Sequence, residues 1–192
     1  MPRLIICQVS GTNPPQFIVR NRETDQSAPA CVVPSPFEWP VRNAGTDPLM
    51  VQLGWLLETF TQYRADSHVT QKAAYIQEAI EDWGTAACDQ LFNSNDARNW
   101  LPRQTNDTLD IVISCDSPEY LAWPWEALHD PTLRYFGLRA RIQRRLSHAV
   151  PEPPALPALP TDQIRILLVT ARPFKRDVDY RSISRPLSHP AL

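Results

Sequence analysis

The chain has 192 residues, of which 43% are hydrophobic and 21% are charged, and this composition is typical of a globular protein with one domain and a small extension. The formal net charge of −2 gives no reason to expect nucleic acid or an anionic membrane as a partner. The apolar stretches are too short to span a bilayer, and Gln8 and Ser10 interrupt the N-terminal one, which does not resemble a signal peptide. We therefore expect a cytoplasmic protein.

Cysteine and glycine usage limits the chemistry further. The four cysteines are widely spaced and include no Cys-x-x-Cys pair, so neither a structural zinc site nor a disulfide framework is expected. We predict that they are buried free thiols. With five glycines against 20 prolines and no Gly-rich phosphate loop, the sequence predicts no bound nucleotide or other cofactor.

The N-terminal residues show strand patterns. Residues 3–9 and 16–20 are apolar, β-branched runs on either side of a turn sequence, and this arrangement predicts two strands. Residues 30–33 predict a third strand, at an edge, because Pro34 ends it.

Two helices are predicted next. Asp47 is expected to cap the first, before Pro48, and an apolar stripe starts at Leu49. Thr70 is expected to cap the second, and the stripe of this helix runs past Gly84. The stripe of the second helix consists of Ala73, Ile76, Ile80, Trp83, Ala87 and Leu91.

The middle of the chain returns to strands. Residues 93–107 are mostly polar and predict a surface loop, and residues 109–115 predict a strand. Ser117 begins a predicted helix, and Pro124 a second short one. The alternation of Leu138, Ala140 and Ile142 with polar residues predicts a half-buried strand.

The C-terminal part divides at a proline-rich segment. Residues 1–149 are predicted to form an α+β module, and residues 150–163 a stiff extended linker. Residues 164–169 are almost all aliphatic, which is typical of a strand buried on both faces of a parallel sheet. The fold class is therefore α/β, with residues 164–192 beginning a second domain that does not reach a second βα unit.

Two stretches carry a family resemblance. The first contains the strand at 109–113, the Trp123-Pro124-Trp125-Glu126 segment and the basic run 141–145; the second spans 164–187. Together they resemble the opening of CHAT domains, which are caspase-like cysteine peptidases with a three-layer α/β/α fold. The resemblance covers residues 109–187. It implies a structural role for the Trp-Pro-Trp-Glu segment.

The resemblance also implies a His–Cys dyad that this sequence does not reach. In CHAT domains the histidine lies in a His-x-x-Gly-His-Gly-like loop and the cysteine in a later loop, both downstream of the strand that starts here at Ile164. We therefore expect no catalytic residue in the chain and a regulatory or non-catalytic role for it. By the same resemblance Arg172, Asp177 and Arg181 are candidates to line a substrate pocket or a docking site.

Three local features have alternative interpretations. A Cys115–His129 pair is not expected to be catalytic, because no glycine-flanked turn exposes the thiol. Glu126, near two tryptophans, is expected to be a partly buried carboxylate at a helix start. A basic cluster is expected to be either a solvated strand face or a docking patch; its members are Arg134, Arg139, Arg141, Arg144 and Arg145.

The sequence leaves three functions open. The leading one is the front part of a CHAT-domain protein that docks on a peptide or protein, such as a complete CHAT relative. The second is a stand-alone protein-interaction module, and the third is a nucleic-acid binder that uses the arginine cluster.

Overall fold

The computed structural model describes residues 3–43, 45–60, 66–102, 109–132 and 134–148. All of them belong to the first of the two units into which the chain divides, Met1–Pro151. The linker and the beginning of the second domain, predicted at 150–163 and 164–192, lie outside the described residues. Within the described ranges, none of the helices is both long enough and apolar enough to cross a membrane.

A mixed six-stranded sheet forms the centre of this unit. Its strands are β1 (Arg3–Val9), β2 (Gln16–Asn21), β3 (Gln26–Ser27), β4 (Cys31–Val32), β5 (Leu109–Cys115) and, at the opposite edge, β8 (Ala140–Leu146). The order is β3-β2-β1-β5-β8, with β4 also paired to β2. β1 runs antiparallel to β2 and parallel to β5, and β5 runs parallel to β8. A separate antiparallel pair consists of β6 (His129–Asp130) and β7 (Arg134–Tyr135).

The structure confirms the predicted strands over 3–9, 16–20, 30–33 and 109–115 and adds the short β3. The strand predicted from Leu138 begins later, at Ala140, because Leu138 ends a 3-10 turn (Phe136–Leu138) and is 77% exposed. The described residues thus form an α/β fold with a mixed sheet and several helices.

Among the described residues, four α-helices accompany the sheet: α1 (Leu49–Glu58), α2 (Ser67–Leu91), α3 (Asn95–Asn99) and α4 (Pro118–Leu121). The predicted helix start at Ser117 is confirmed, since the Ser117 hydroxyl accepts a hydrogen bond from the Glu119 N–H. A 3-10 turn (Trp125–Ala127) follows Pro124, as predicted.

Three predictions about the helical region are wrong. Asp47 does not cap α1, because Pro48 is the N-cap residue and no side chain caps that end. Thr70 does not cap α2, because Asp66 accepts hydrogen bonds from the N–H groups of His68 and Val69 one turn earlier. The segment predicted as a loop over 93–107 contains the short helix α3. Ala97 of this helix is buried.

The hydrophobic core lies between α2 and one face of the sheet. Strand residues that alternate along β1, β2 and β5 point to this face, including Leu4, Phe17 and Ile111, each 0% exposed. The predicted stripe of α2 is confirmed, because Ile76, Trp83 and three other members are buried and Ile80 packs against the margin of the core.

Gly84 allows α2 to touch the 3-10 turn after Pro124. A Cβ atom built on Gly84 would lie 1.9 Å from the carbonyl oxygen of Ala127 and 2.8 Å from its carbonyl carbon. Both contacts are with backbone, so no side chain can rotate to relieve them. The glycine that weakens the isolated helix is therefore the residue that permits the close packing.

Candidate functional site

The Trp-Pro-Trp-Glu segment lies at the centre of the core. Trp123 and Trp125 are 1% and 0% exposed and stack with their ring centroids 5.5 Å apart. Phe17 of β2 and Trp83 of α2 meet these rings at their edges. The Trp125 indole N–H donates to the Tyr120 carbonyl oxygen at 2.7 Å. The segment therefore joins the sheet to α2, whereas Pro124 provides the N-cap of the turn.

Glu126 is held by an arginine of the edge strand. The Arg144 guanidinium donates to both carboxylate oxygens of Glu126, at 2.5 Å each, and its Nε donates to the Leu121 carbonyl oxygen at 2.8 Å. A further bond reaches the Trp123 carbonyl oxygen at 3.3 Å. Such bidentate pairing is the strongest geometry for an arginine and a carboxylate. Arg144 thus fastens β8 to the Trp-Pro-Trp-Glu segment.

The pair makes stability depend on pH. Burial raises the pKa of Glu126, but the hydrogen bonds and charge of Arg144, together with a backbone hydrogen bond, outweigh burial and leave the pKa below its ordinary value of 4.5. Since the folded protein lowers this pKa, the stabilisation is present above about pH 4.5 and is lost as the pH falls through the folded pKa.

We expect Glu126→Gln to reduce the free energy of unfolding by about 1 kcal/mol at neutral pH, because the carboxylate is 48% exposed and solvent screens the pair. The melting temperature should fall by about 2–4 °C. The difference from the unmodified chain should vanish once the pH has fallen through the folded pKa of Glu126, since both chains then lack the charge. Thermal melts across the pH range measure this, with Glu119→Gln, on the exposed first turn of α4, as the control. A difference that persists at low pH would contradict the assignment.

A polar cluster lies where the three parallel strands end. Asp116, directly after β5, accepts hydrogen bonds from the hydroxyls of Ser10, after β1, and Ser147, after β8. Its backbone N–H donates to the Gln8 side chain at 3.0 Å. The His148 Nε2 is 3.9 Å from the carboxylate. The sequence analysis missed this cluster; its only signal is a polar residue after each of three strands, where α/β folds place ligands.

The hydrogen bonds of this cluster connect the ends of three neighbouring strands. Hydrogen bonds from Ser10 and Ser147 hold the pKa of Asp116 below its usual range, so the carboxylate is a weak base. A serine nucleophile needs a base of higher pKa, normally an imidazole, within hydrogen-bond distance. Asp116 therefore ties the ends of the three strands together.

The four thiols of the chain have raised pKa values. Burial raises the pKa of Cys31 to about 11 and of Cys88 and Cys115 to about 12. Burial also raises the pKa of Cys7, the one half-buried thiol, although Arg20 and Arg145 oppose the shift. Catalytic thiols have lowered pKa values. The prediction of free, mostly buried thiols is confirmed.

His129 does not pair with Cys115. Its Nδ1 lies 3.1 Å from the Thr85 hydroxyl, its Nε2 lies 3.9 Å from a Glu81 carboxylate oxygen, and its ring packs on Tyr135. These partners belong to α2 and β7, whereas Cys115 ends β5 and is 0% exposed. The two residues thus have separate surroundings.

The predicted arginine cluster has more than one role in the structure. Arg144 binds Glu126, whereas Arg141 lies 3.7 Å from Asp110 at the start of β5. Arg145 is exposed on the opposite face of β8 from Arg144, because neighbouring residues of a strand alternate in direction. Arg134 has a φ of 65° and begins β7. The candidate residues Arg172, Asp177 and Arg181 lie outside the described residues.

The described ranges contain no group of three or more His, Cys, Asp or Glu side chains placed to hold a metal ion. No protein-family model, curated protein or solved structure matches this chain.

Proposed function

We propose that the chain is the front part of a CHAT-type protein and that its α/β module serves as a non-catalytic interaction or regulatory unit. In this proposal the module precedes the first βα unit of a caspase-like, three-layer domain. One observation carries it. The segments on which the resemblance depends, β5, the Trp-Pro-Trp-Glu segment and the basic strand β8, pack against one another. Motifs that resemble those of CHAT domains and also pack together in the fold support a common origin with CHAT domains better than motifs that lie far apart would.

The non-catalytic part of the proposal is supported by the thiols. A cysteine peptidase needs a thiolate at neutral pH beside an imidazole. All four cysteines of the sequence are among the described residues, and each has a raised pKa.

We expect the purified 192-residue chain to show no peptide-bond turnover that a cysteine-directed inhibitor abolishes. Fluorogenic peptides with basic, acidic and apolar residues before the scissile bond would measure this, with an active cysteine peptidase as the positive control. In the same preparation, an aromatic disulfide reagent should react slowly with the folded protein and with all four thiols after unfolding in denaturant. Inhibitor-sensitive turnover, or one thiol that reacts rapidly in the folded protein, would refute the proposal.

A stand-alone interaction module without peptidase ancestry is the second candidate. The observation that favours it is the continuous core among the described residues, which encloses Trp83, Trp123 and Trp125. The genomic sequence downstream of codon 192 separates the two candidates. A His-x-x-Gly-His-Gly-like loop followed by a cysteine-bearing loop would favour the CHAT-type protein, and unrelated sequence would favour the module.

A further inference from the structure

One face of the sheet carries an apolar strip. Because side chains alternate along a strand, Ile5, Cys7, Ile18 and Val112 point away from the core, and all four are half-buried. Among the described helices, α2 and α4 make substantial contacts with strands, and the rings of Trp83 and Tyr120 place both on the core face. Parallel strands are usually covered on both faces. We call the surface around this strip the open face.

Arginines surround the apolar strip. Arg3 and Arg141 lie 3.8 Å and 3.7 Å from the carboxylate of Asp110, beyond hydrogen-bond range, and share its single charge. A depression of about 170 Å³ opens beside them. The arginines that border the open face or line this depression are Arg3, Arg20, Arg22, Arg141 and Arg145.

Positive charge is in excess on this face, because the acidic residues that line the same region as the five arginines are Asp110 and Glu23. Within the described part of the chain, Arg20, Arg22 and Arg145 form no ion pair. The chain as a whole has a formal charge of −2, so the arginines represent a local concentration rather than a general basic character. Arg20 and Arg145 also act on the Cys7 thiol, which places their charges beside the apolar strip from opposite strands.

We propose that the open face binds an acidic amphipathic helix of a partner protein. Apolar side chains of the helix would cover Ile5, Ile18 and Val112, while its flanking carboxylates would pair with Arg20, Arg141 and Arg145. The inference rests on the proposed function, since it identifies the partner of the interaction module. The acidic character of the helix is inferred from charge complementarity, because the arginines of the open face lie beside its apolar strip.

The dimensions of the surface fit one helix. Strands β2, β1, β5 and β8 are spaced by about 4.8 Å, so the four span about 14 Å. A helix with its side chains is about 10–12 Å wide. A strand partner is a poorer match, because it would pair with the outer edge of β8 and leave the apolar strip uncovered.

The test uses a fluorescent synthetic helix of about 18 residues, roughly 27 Å long, with leucines on one face and glutamates on both sides of them. Fluorescence anisotropy would measure its binding to the full chain at low salt. We expect saturable binding that weakens with added salt. The double variant Arg141→Glu/Arg145→Glu should bind at least about tenfold more weakly, because like charges then face the glutamates.

The controls separate this surface from general attraction. Arg42→Glu reverses one charge beside Tyr75 and Glu78 of α2, on the core side of the sheet, and should bind like the unmodified chain, whereas the single variant Arg145→Glu should bind more weakly. A peptide with lysine in place of glutamate should not bind. Circular dichroism melts would show that each variant folds.

Several results would overturn the inference: no saturable binding, equal loss in Arg42→Glu, or equal binding of the lysine peptide. Displacement of the helix by leucine-free polyglutamate at equal concentration would show a simple anion patch instead. Tighter binding of a single-stranded oligonucleotide that competes with the helix would indicate a nucleic-acid surface. None of these results changes the outcome of the peptidase assay, so the two proposals fail independently.

Discussion

Replacing Gly84 by alanine is expected to lower the free energy of unfolding by about 3 kcal/mol, although alanine is the better helix former. The added methyl group would lie 1.9 Å from the Ala127 carbonyl oxygen, so α2 and the 3-10 turn would have to separate. Overpacking of this kind costs more than the roughly 1 kcal/mol that helix propensity returns. Thermal unfolding should show a melting temperature lower by about 6–12 °C.

Gly54→Ala is the matched control for this experiment. Gly54 is also a helical glycine, in α1, but a Cβ atom there would meet nothing within 4 Å. This substitution should leave stability unchanged or raise it by up to about 1 kcal/mol. If the Gly84→Ala protein were as stable as the Gly54→Ala protein, this result would contradict the close packing of α2 on Ala127.

Replacing Trp125 by alanine is expected to cost about 3–5 kcal/mol, the range for truncating a large buried aromatic residue. The side chain is 0% exposed and packs on Trp123 and Phe17, so its loss leaves a cavity where the sheet meets the turn. Urea unfolding followed by far-ultraviolet circular dichroism measures this effect without depending on the fluorescence of the deleted tryptophan.

Two further variants define the source of the loss. Trp125→Phe keeps an aromatic ring but removes the bond to the Tyr120 carbonyl oxygen, and should cost about 1–3 kcal/mol. Leu138→Ala, 77% exposed in a neighbouring turn, should change stability by less than about 0.5 kcal/mol. A cost of Trp125→Ala similar to that of Leu138→Ala would contradict the central position of the segment.

Local patterns predicted the elements that have a strong periodic signal. The α2 stripe and the runs at β1, β2 and β5 were recognisable because apolar residues recur at the spacing of the secondary structure. β3 has two exposed residues and therefore no such pattern. Thr70 was mistaken for a cap because Asp66, four residues earlier, is an equally suitable residue and begins the helix one turn sooner.

Long-range contacts were not predictable in the same way. The sequence indicated that Glu126 is a partly buried carboxylate, but it did not indicate that Arg144 is its partner. Arg144 was instead assigned to a surface cluster of arginines. Spacing along the chain does not show which face of β8 packs against the 3-10 turn that contains Glu126. Asp116, Ser10 and Ser147 meet only after β1, β5 and β8 have aligned in parallel. The parallel pairing of β1 with β5 has no local signal at all.

The position of β1 in the middle of the sheet has a consequence for synthesis. Arg3 is in register with Asp110, so β1 leaves the ribosome with β2 as its only neighbour and waits for a strand more than a hundred residues behind it. At about 5–20 residues per second the delay is roughly 5–20 s. During this interval the apolar edge of a hairpin is exposed, and pairings between such distant segments form slowly. The edge of β1 that later pairs with β5 is therefore a place where one nascent chain can pair with another.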